Sequence, residues 1–263
     1  MRVKKPVTSI PRTFIPGRLV GLAAALSLAL LTAPLGAVTV DYETLSIDPS
    51  QVVDDEYDSS PFLNLTISGV NTGGGPDLVA VYDTRGGSPG NRDPDLESPW
   101  VDGNAMNVPT GNVLIIQENG GESGGFLTDD PDDEAGGGII TFSWDRALIN
   151  SIAWYAPDGE VENETESLVR FYVGNTLLTE LSYLDLQVRD PTIVWGDSTL
   201  NYIQPFTAAE IGGQWDRVEW EFIGSGALGV VIYDGIETPE PSTFVLTAAG
   251  LIGLIWRRRR KML

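Results

Sequence analysis

In the run Arg217-Val218-Glu219-Trp220-Glu221-Phe222 every second side chain is apolar and the rest are charged. Successive side chains of a strand point to opposite faces, so this pattern gathers Val218, Trp220 and Phe222 on one side; a helix would scatter them. Ile140, Phe142 and Trp144 alternate likewise within 139–144, and a third case spans 168–173. Asn112–Ile116 and Gly229–Tyr233 are short apolar runs that suit strands buried on both sides. Further strands are expected at 38–45, 63–70, 78–82, 151–155, 176–183 and 193–195. Clusters such as Thr72-Gly73-Gly74-Gly75-Pro76 and Ala135-Gly136-Gly137-Gly138 separate them. Many short strands with this punctuation predict an all-β domain, a sandwich or barrel. The clearest helix signal is Thr207-Ala208-Ala209-Glu210, a capping-box pattern that starts one or two turns.

Charge divides the chain into three. Residues 1–37 hold five basic residues and no acid, and 257–261 read Arg-Arg-Arg-Arg-Lys. The segment 38–237 keeps 36 of the 37 acidic residues but 6 of the 16 basic ones, a net charge of −30, and all six are arginine. Leu, Ile, Val and Phe still make up about 27% of it, above the roughly 20% below which a charged chain stays unfolded. We expect it to fold as one domain. Nucleic acid and anionic lipid are poor partners for such a surface; divalent cations suit it better. Solubility in a salty medium is the plainer account of the same charge.

The two ends read as addresses. A basic stretch, an apolar run from Leu19 to Leu31 and small residues up to Ala37 have the layout of a secretory signal peptide, with Ala37 the last residue before cleavage. At the other end, Thr238-Pro239-Glu240-Pro241-Ser242-Thr243 precedes an apolar segment, 244–256, and the basic tail 257–261. The segment is short for a membrane helix, but flanking arginines can reach the headgroups, and basic residues fix that end on the cytoplasmic side. The expected layout is a signal peptide 1–37, a β-sandwich 38–237 and a C-terminal signal 238–263.

The ordered set of Pro-Glu-Pro, a short apolar helix with Gly250 and Gly253, and a terminal arginine cluster resembles the PEP-CTERM sorting signal. That resemblance implies export and handling by an exosortase, a membrane protease that recognises the motif, with Pro239, Glu240 and Pro241 as its recognition element. It also implies anchoring in the inner membrane before processing, then a place at the cell surface or in an extracellular, biofilm-type matrix. The strand-rich middle with its glycine loops and a closing 224–229 hairpin looks like the jelly-roll domains, similar to carbohydrate-binding modules, found ahead of this signal.

Chemistry is limited by what is missing. With no His and no Cys there is no imidazole base, thiol nucleophile, disulfide or thiolate metal site. A metal would need oxygen ligands, which points to calcium. Three carboxylate sets are available. One is Asp83 with Asp93, Asp95 and Glu97. A second, 129–134, is acidic but lacks the glycine of a calcium-binding EF-hand loop. The third joins Asp41 and Glu43 on the first strand to Asp234 on the last, since first and last strands of a jelly roll lie side by side. Trp100, Trp195 and Trp215 sit near loop signals and are candidates for stacking on sugars; core packing explains them equally. Glu219 and Glu221 are the obvious pair for glycoside hydrolysis, though a strand facing water has the same pattern.

The reading with most support is a non-enzymatic, exported surface or matrix protein that binds exopolysaccharide with calcium. The alternative is a polysaccharide-active hydrolase or lyase using paired carboxylates. Mass spectrometry of the exported protein should find a chain beginning near Val38 and altered near Pro239–Pro241. Recovery outside the cell of a chain with both Met1 and the arginine cluster would refute this.

Overall fold

The computed structural model describes residues 36–85, 94–145, 147–159 and 167–237. The apolar run 19–31, the segment 238–263 and Asp93 lie outside them. No helix among the described residues is long and apolar enough to cross a membrane.

Two antiparallel sheets carry the fold. The first has the order β1-β13-β8-β11, with β1 Val38–Val40, β13 Val231–Glu237, β8 Ala147–Pro157 and β11 Leu200–Thr207. The second has the order β10-β9-β12-β7-β2, with β10 Thr176–Ser182, β9 Leu168–Val173, β12 Arg217–Phe222, β7 Gly138–Trp144 and β2 Leu65–Asn71. A hairpin-like pair, β3 (Val79–Asp83) with β4 (Asn112–Ile116), and a small ribbon, β5 (Glu122–Ser123) with β6 (Phe126–Leu127), complete the strands among the described residues. The chain changes sheet between β1 and β2, β7 and β8, β8 and β9, β10 and β11, β11 and β12, and β12 and β13. This weave binds both sheets into one fold.

The alternating runs place their apolar faces as expected. In β12 and β7 every second residue is buried, and these are Val218, Trp220 and Phe222 and then Ile140, Phe142 and Trp144. Both meet side chains of the other sheet in a single apolar cluster. The centre is aromatic. Trp154 of β8 meets Trp220 of β12 edge-on at 5.7 Å. The contacts continue from Trp220 through Phe142 and Trp144 to Tyr233, and from Trp154 through Phe206 and Phe171 to Trp215. β3 and β4 are buried on both faces because a second cluster, with Val52, Leu96 and Leu127, covers their other side.

Four expectations change. Residues 193–195 are not a strand; Ile193 and Trp195 are buried from irregular backbone. The strand expected at 176–183 stops at Ser182, which caps a helix, Tyr183–Arg189, through a capping box with Asp185. The first strand stops at Val40 rather than Leu45. Residues 224–229 are not a hairpin, because β12 and β13 lie in different sheets; this segment crosses between them, and Leu228 pairs with Leu114 of β4. The helix at Ala208–Ile211 forms with the predicted Thr207–Glu210 box.

Trp220 is fully buried at the crossing of the two sheets. Trp220→Ala should cost about 3–5 kcal/mol in urea unfolding, while Val101→Ala, 71% exposed, should change stability by about 0.5 kcal/mol or less.

Candidate functional site

Two of the predicted carboxylate sets meet on one arginine. Arg85 follows β3 and donates from Nε to Asp83 Oδ1 at 2.6 Å, from Nη1 to Glu43 Oε2 at 3.1 Å and from Nη2 to Asn112 Oδ1 at 2.8 Å. Glu43 Oε1 accepts the Asn112 backbone N–H at 2.7 Å, and Asn112 Nδ2 donates to the Tyr42 carbonyl at 2.9 Å. Gly111 makes room for this: a Cβ there would fall 1.5 Å from Glu43 Oε1. The hydrogen bond it donates to Asp83 leads the effects that hold the Arg85 guanidinium above its ordinary pKa. The cation between Asp83 and Glu43 is thus supplied by the chain itself.

The remaining predicted residues are scattered. Asp95 is exposed in the short turn Pro94–Leu96, and Glu97 follows it half-buried. β1 and β13 are neighbours, but the register pairs Val40 with Val231 and Val38 with Tyr233. Asp41 therefore lies beyond one end of this pairing and Asp234 beyond the other, roughly 13 Å apart at about 3.3 Å per residue. They do not converge on one ion. Ala37 is exposed, immediately before β1.

None of the three tryptophans is a surface platform. Trp215 is fully buried at the end of the aromatic chain. Trp195 stacks on Tyr183 at 4.4 Å and donates to its carbonyl. Trp100 is buried with Ala105 and Leu200, and its Nε1 donates to Thr110 Oγ1 at 2.9 Å. Each ring has too much apolar area to leave in water when a core is within reach.

Trp100 instead props a loop that walls a cleft of about 300 Å³. Val108 to Val113 form one side; Tyr155, Gly229, Val230 and Ile232 form the other. Among the described residues no charged side chain lines it, though Glu43 and Arg85 bond to Asn112 of its wall. The 224–230 crossover makes the cleft possible by pressing against β8: Tyr155 N–H donates to the Val230 carbonyl, and Gly229 N–H donates to the Tyr155 carbonyl. A Cβ on Gly229 would meet Tyr155 Cβ at 2.8 Å. Beside the cleft, Tyr202 of β11 lies 5.0 Å from Tyr155, the rings tilted by 42°. Both are half-buried. Burial raises the Tyr202 hydroxyl pKa, so it stays a neutral hydrogen-bonding group. Asn104 ties the loop to β11, accepting from Tyr202 N–H at 2.6 Å and donating to the Tyr202 carbonyl at 3.1 Å.

Sequence reasoning passed over these tyrosines because each sits within a strand rather than near a loop signal. It also passed over a buried carboxylate pair. Asp133 and Asp158 both touch Ser225 Oγ, the second at 3.2 Å, and Asp133 Oδ2 also accepts Gly226 N–H at 2.9 Å. These residues lie 25 or more positions apart along the chain, so no spacing announces them. Asp54, Asp55 and Glu56 present carboxylate oxygens within 4.8 Å of one another, and the Asp54 charge raises the Asp55 pKa. Glu219 and Glu221, the obvious hydrolytic pair, are bound instead to Arg217 at 3.3 Å and to Arg170 at 2.5 Å; Arg170 also holds Glu180.

Residues 237–260 match the PEP-CTERM protein-sorting motif. The C-terminus therefore carries an export and sorting signal that implies processing by an exosortase. No curated protein matches the chain. Among solved structures, the K1 cleaved adhesin domain of Lys-gingipain from Porphyromonas gingivalis is similar at 11% identity and a TM-score of 0.27, covering 78% of this chain and 99% of that one. A likeness this distant carries no argument about fold or function.

Asp83 is buried while Arg85 is half-exposed. Removing the Arg85 side chain takes one partner from a buried carboxylate, and partial solvation reduces the cost. Arg85→Ala should destabilise the domain by about 1–2 kcal/mol, and a double-mutant cycle with Glu43→Gln should give a non-zero coupling in urea unfolding.

Proposed function

We propose that this is a non-enzymatic protein of the cell surface or extracellular matrix, exported and sorted through its C-terminal signal, whose jelly-roll β-sandwich binds neutral polysaccharide at the Tyr155 cleft. The strand orders β1-β13-β8-β11 and β10-β9-β12-β7 support the jelly-roll reading, since they interleave as two Greek keys would. The binding reading is carried by one observation: an uncharged cleft beside a tilted tyrosine pair, on a domain whose net charge is −30. Aromatic faces hold sugar rings through their apolar C–H surfaces, and a polyanionic sugar would be repelled from this domain. The non-enzymatic reading is supported by the engagement of Glu43, Asp83, Glu219 and Glu221 with arginines.

The hydrolase or lyase alternative draws on Asp133 and Asp158, two buried carboxylates on one serine hydroxyl. Incubating the exported protein with a panel of neutral and uronic-acid polysaccharides separates the readings. Tyr155→Ala should abolish retention and Tyr155→Phe, which keeps the ring, should preserve it, with no reducing ends released by either. Release of reducing ends or unsaturated sugars, lost in Asp158→Asn, would establish the enzyme instead.

Calcium belongs to this reading as the counter-ion of the acidic loops. A ligand that binds only the folded state at 100 times its dissociation constant stabilises by about 2.7 kcal/mol. Millimolar calcium should therefore raise the melting temperature at fixed ionic strength. Asp55→Asn should blunt the rise if Asp54–Glu56 is the site, and Asp95→Ala if the Asp95–Glu97 turn is. Identical melting curves with calcium and with chelator would remove calcium from the account.

A further inference from the structure

The sorting motif starts where the last strand ends. Glu237 is the final residue of β13 and pairs with Ala147 of β8. Only Thr238 separates it from Pro239. One extended residue reaches about 3.6 Å at most. An enzyme that reads residues 239–241 as an extended segment would collide with the sandwich unless residues ahead of the motif leave the sheet.

β13 is divided in a way that allows this. Val231 to Tyr233 are clamped on both sides, by β1 and by β8. Val231 and Tyr233 are buried, and Tyr233 also donates from its hydroxyl to the Phe62 carbonyl at 2.7 Å. β1 begins opposite Tyr233, so Gly235 to Glu237 pair with β8 alone. A register shift between Asp234 and Gly235 separates the two parts. Gly235 has no side chain to anchor, and Ile236 is only half-buried.

We infer that Gly235–Glu237 is a releasable strand end, which detaches from β8 so that the sorting enzyme can engage residues 239–241 while Val231–Tyr233 keep the domain folded. This rests on the sorting reading above. Local opening of a singly paired strand end needs no global unfolding.

The chain has no cysteine, so a disulfide can lock the end cleanly. Ala147→Cys with Glu237→Cys joins residues that face each other across an antiparallel pair, within the Cα separation a disulfide spans. Ser68→Cys with Thr141→Cys, paired on β2 and β7, is the control. Full-length chains expressed in the exporting host are followed by gel and mass spectrometry for conversion to the shortened form. The locked chain should lose conversion and regain it on reduction; the control disulfide should convert like wild type. Inserting about six flexible Gly and Ser residues between Glu237 and Thr238 should restore conversion of the locked chain without reductant. A locked chain converted as fast as wild type overturns this inference alone. A wild-type chain that is never converted overturns the sorting reading and this inference with it.

Discussion

The edge-on contact of Trp154 with Trp220 joins the two sheets, and the rest of the molecule is arranged around it. Each ring comes from a strand in the middle of its sheet: β8 lies between β13 and β11, and β12 between β9 and β7. Rings branch from this pair in both directions, so flanking strands are gripped by neighbours as well as by ladder hydrogen bonds. Such contacts favour edge-on or offset-stacked geometries; of the seven ring pairs along this path six are tilted or edge-on and one is stacked. A core built of interlocking large rings tolerates truncation poorly, because the neighbours cannot collapse into the space. With no disulfide or thiolate metal site available, the core has to carry this burden.

That core also decides which aromatics are left for the Tyr155 cleft. Trp100, Trp195 and Trp215 are used inward, as props for loops and strands. Tyr155 and Tyr202 are instead half-buried, and their hydroxyls tolerate water. Tyr155 and Tyr202 lie beside each other because β8 and β11 pair with Tyr155 opposite Tyr202. The 101–110 loop then leans on Trp100 and is fastened by Asn104, closing one wall of the cleft. The site is thus made by register and by a loop prop.

This separates what was legible in the sequence from what was not. Strand faces were legible, because burial repeats every two residues in β7, β9 and β12 and the sequence repeats with it. So was the Thr207–Glu210 cap, which is local. The Ser182–Asp185 cap carried the same type of signal, but it was masked by the β-like residues preceding it. Neighbouring placement of β1 and β13 was foreseen; their register was not, and register decides whether Asp41 and Asp234 meet. The Tyr155–Tyr202 pair, the Arg85 fork and the Asp133–Ser225–Asp158 contact join residues tens of positions apart. Such contacts depend on how crossovers stack, and no spacing rule encodes that.

The arginines complete the physical picture. All six basic residues of 38–237 are arginine, and the four described are each engaged with more than one group. Arg85 binds Asp83, Glu43 and Asn112; Arg170 binds Glu180 and Glu221. Arg189 caps the Gln204 and Pro205 carbonyls, pairs with Glu210 and lies 3.9 Å over Phe206. Arg217 pairs with Glu219 and lies 4.1 Å over Tyr172. A planar fork can satisfy several acceptors at once, which a lysine ammonium does less well. Used this way, few cations fasten loops to strands, and little positive charge is left facing outward. With a net charge of −30 over 38–237 the long-range field of the domain is negative, while no charged residue among those described lines the Tyr155 cleft. Such a field opposes the approach of anionic polymers and favours that of cations, which is the electrostatic ground for proposing a neutral ligand at the tyrosines.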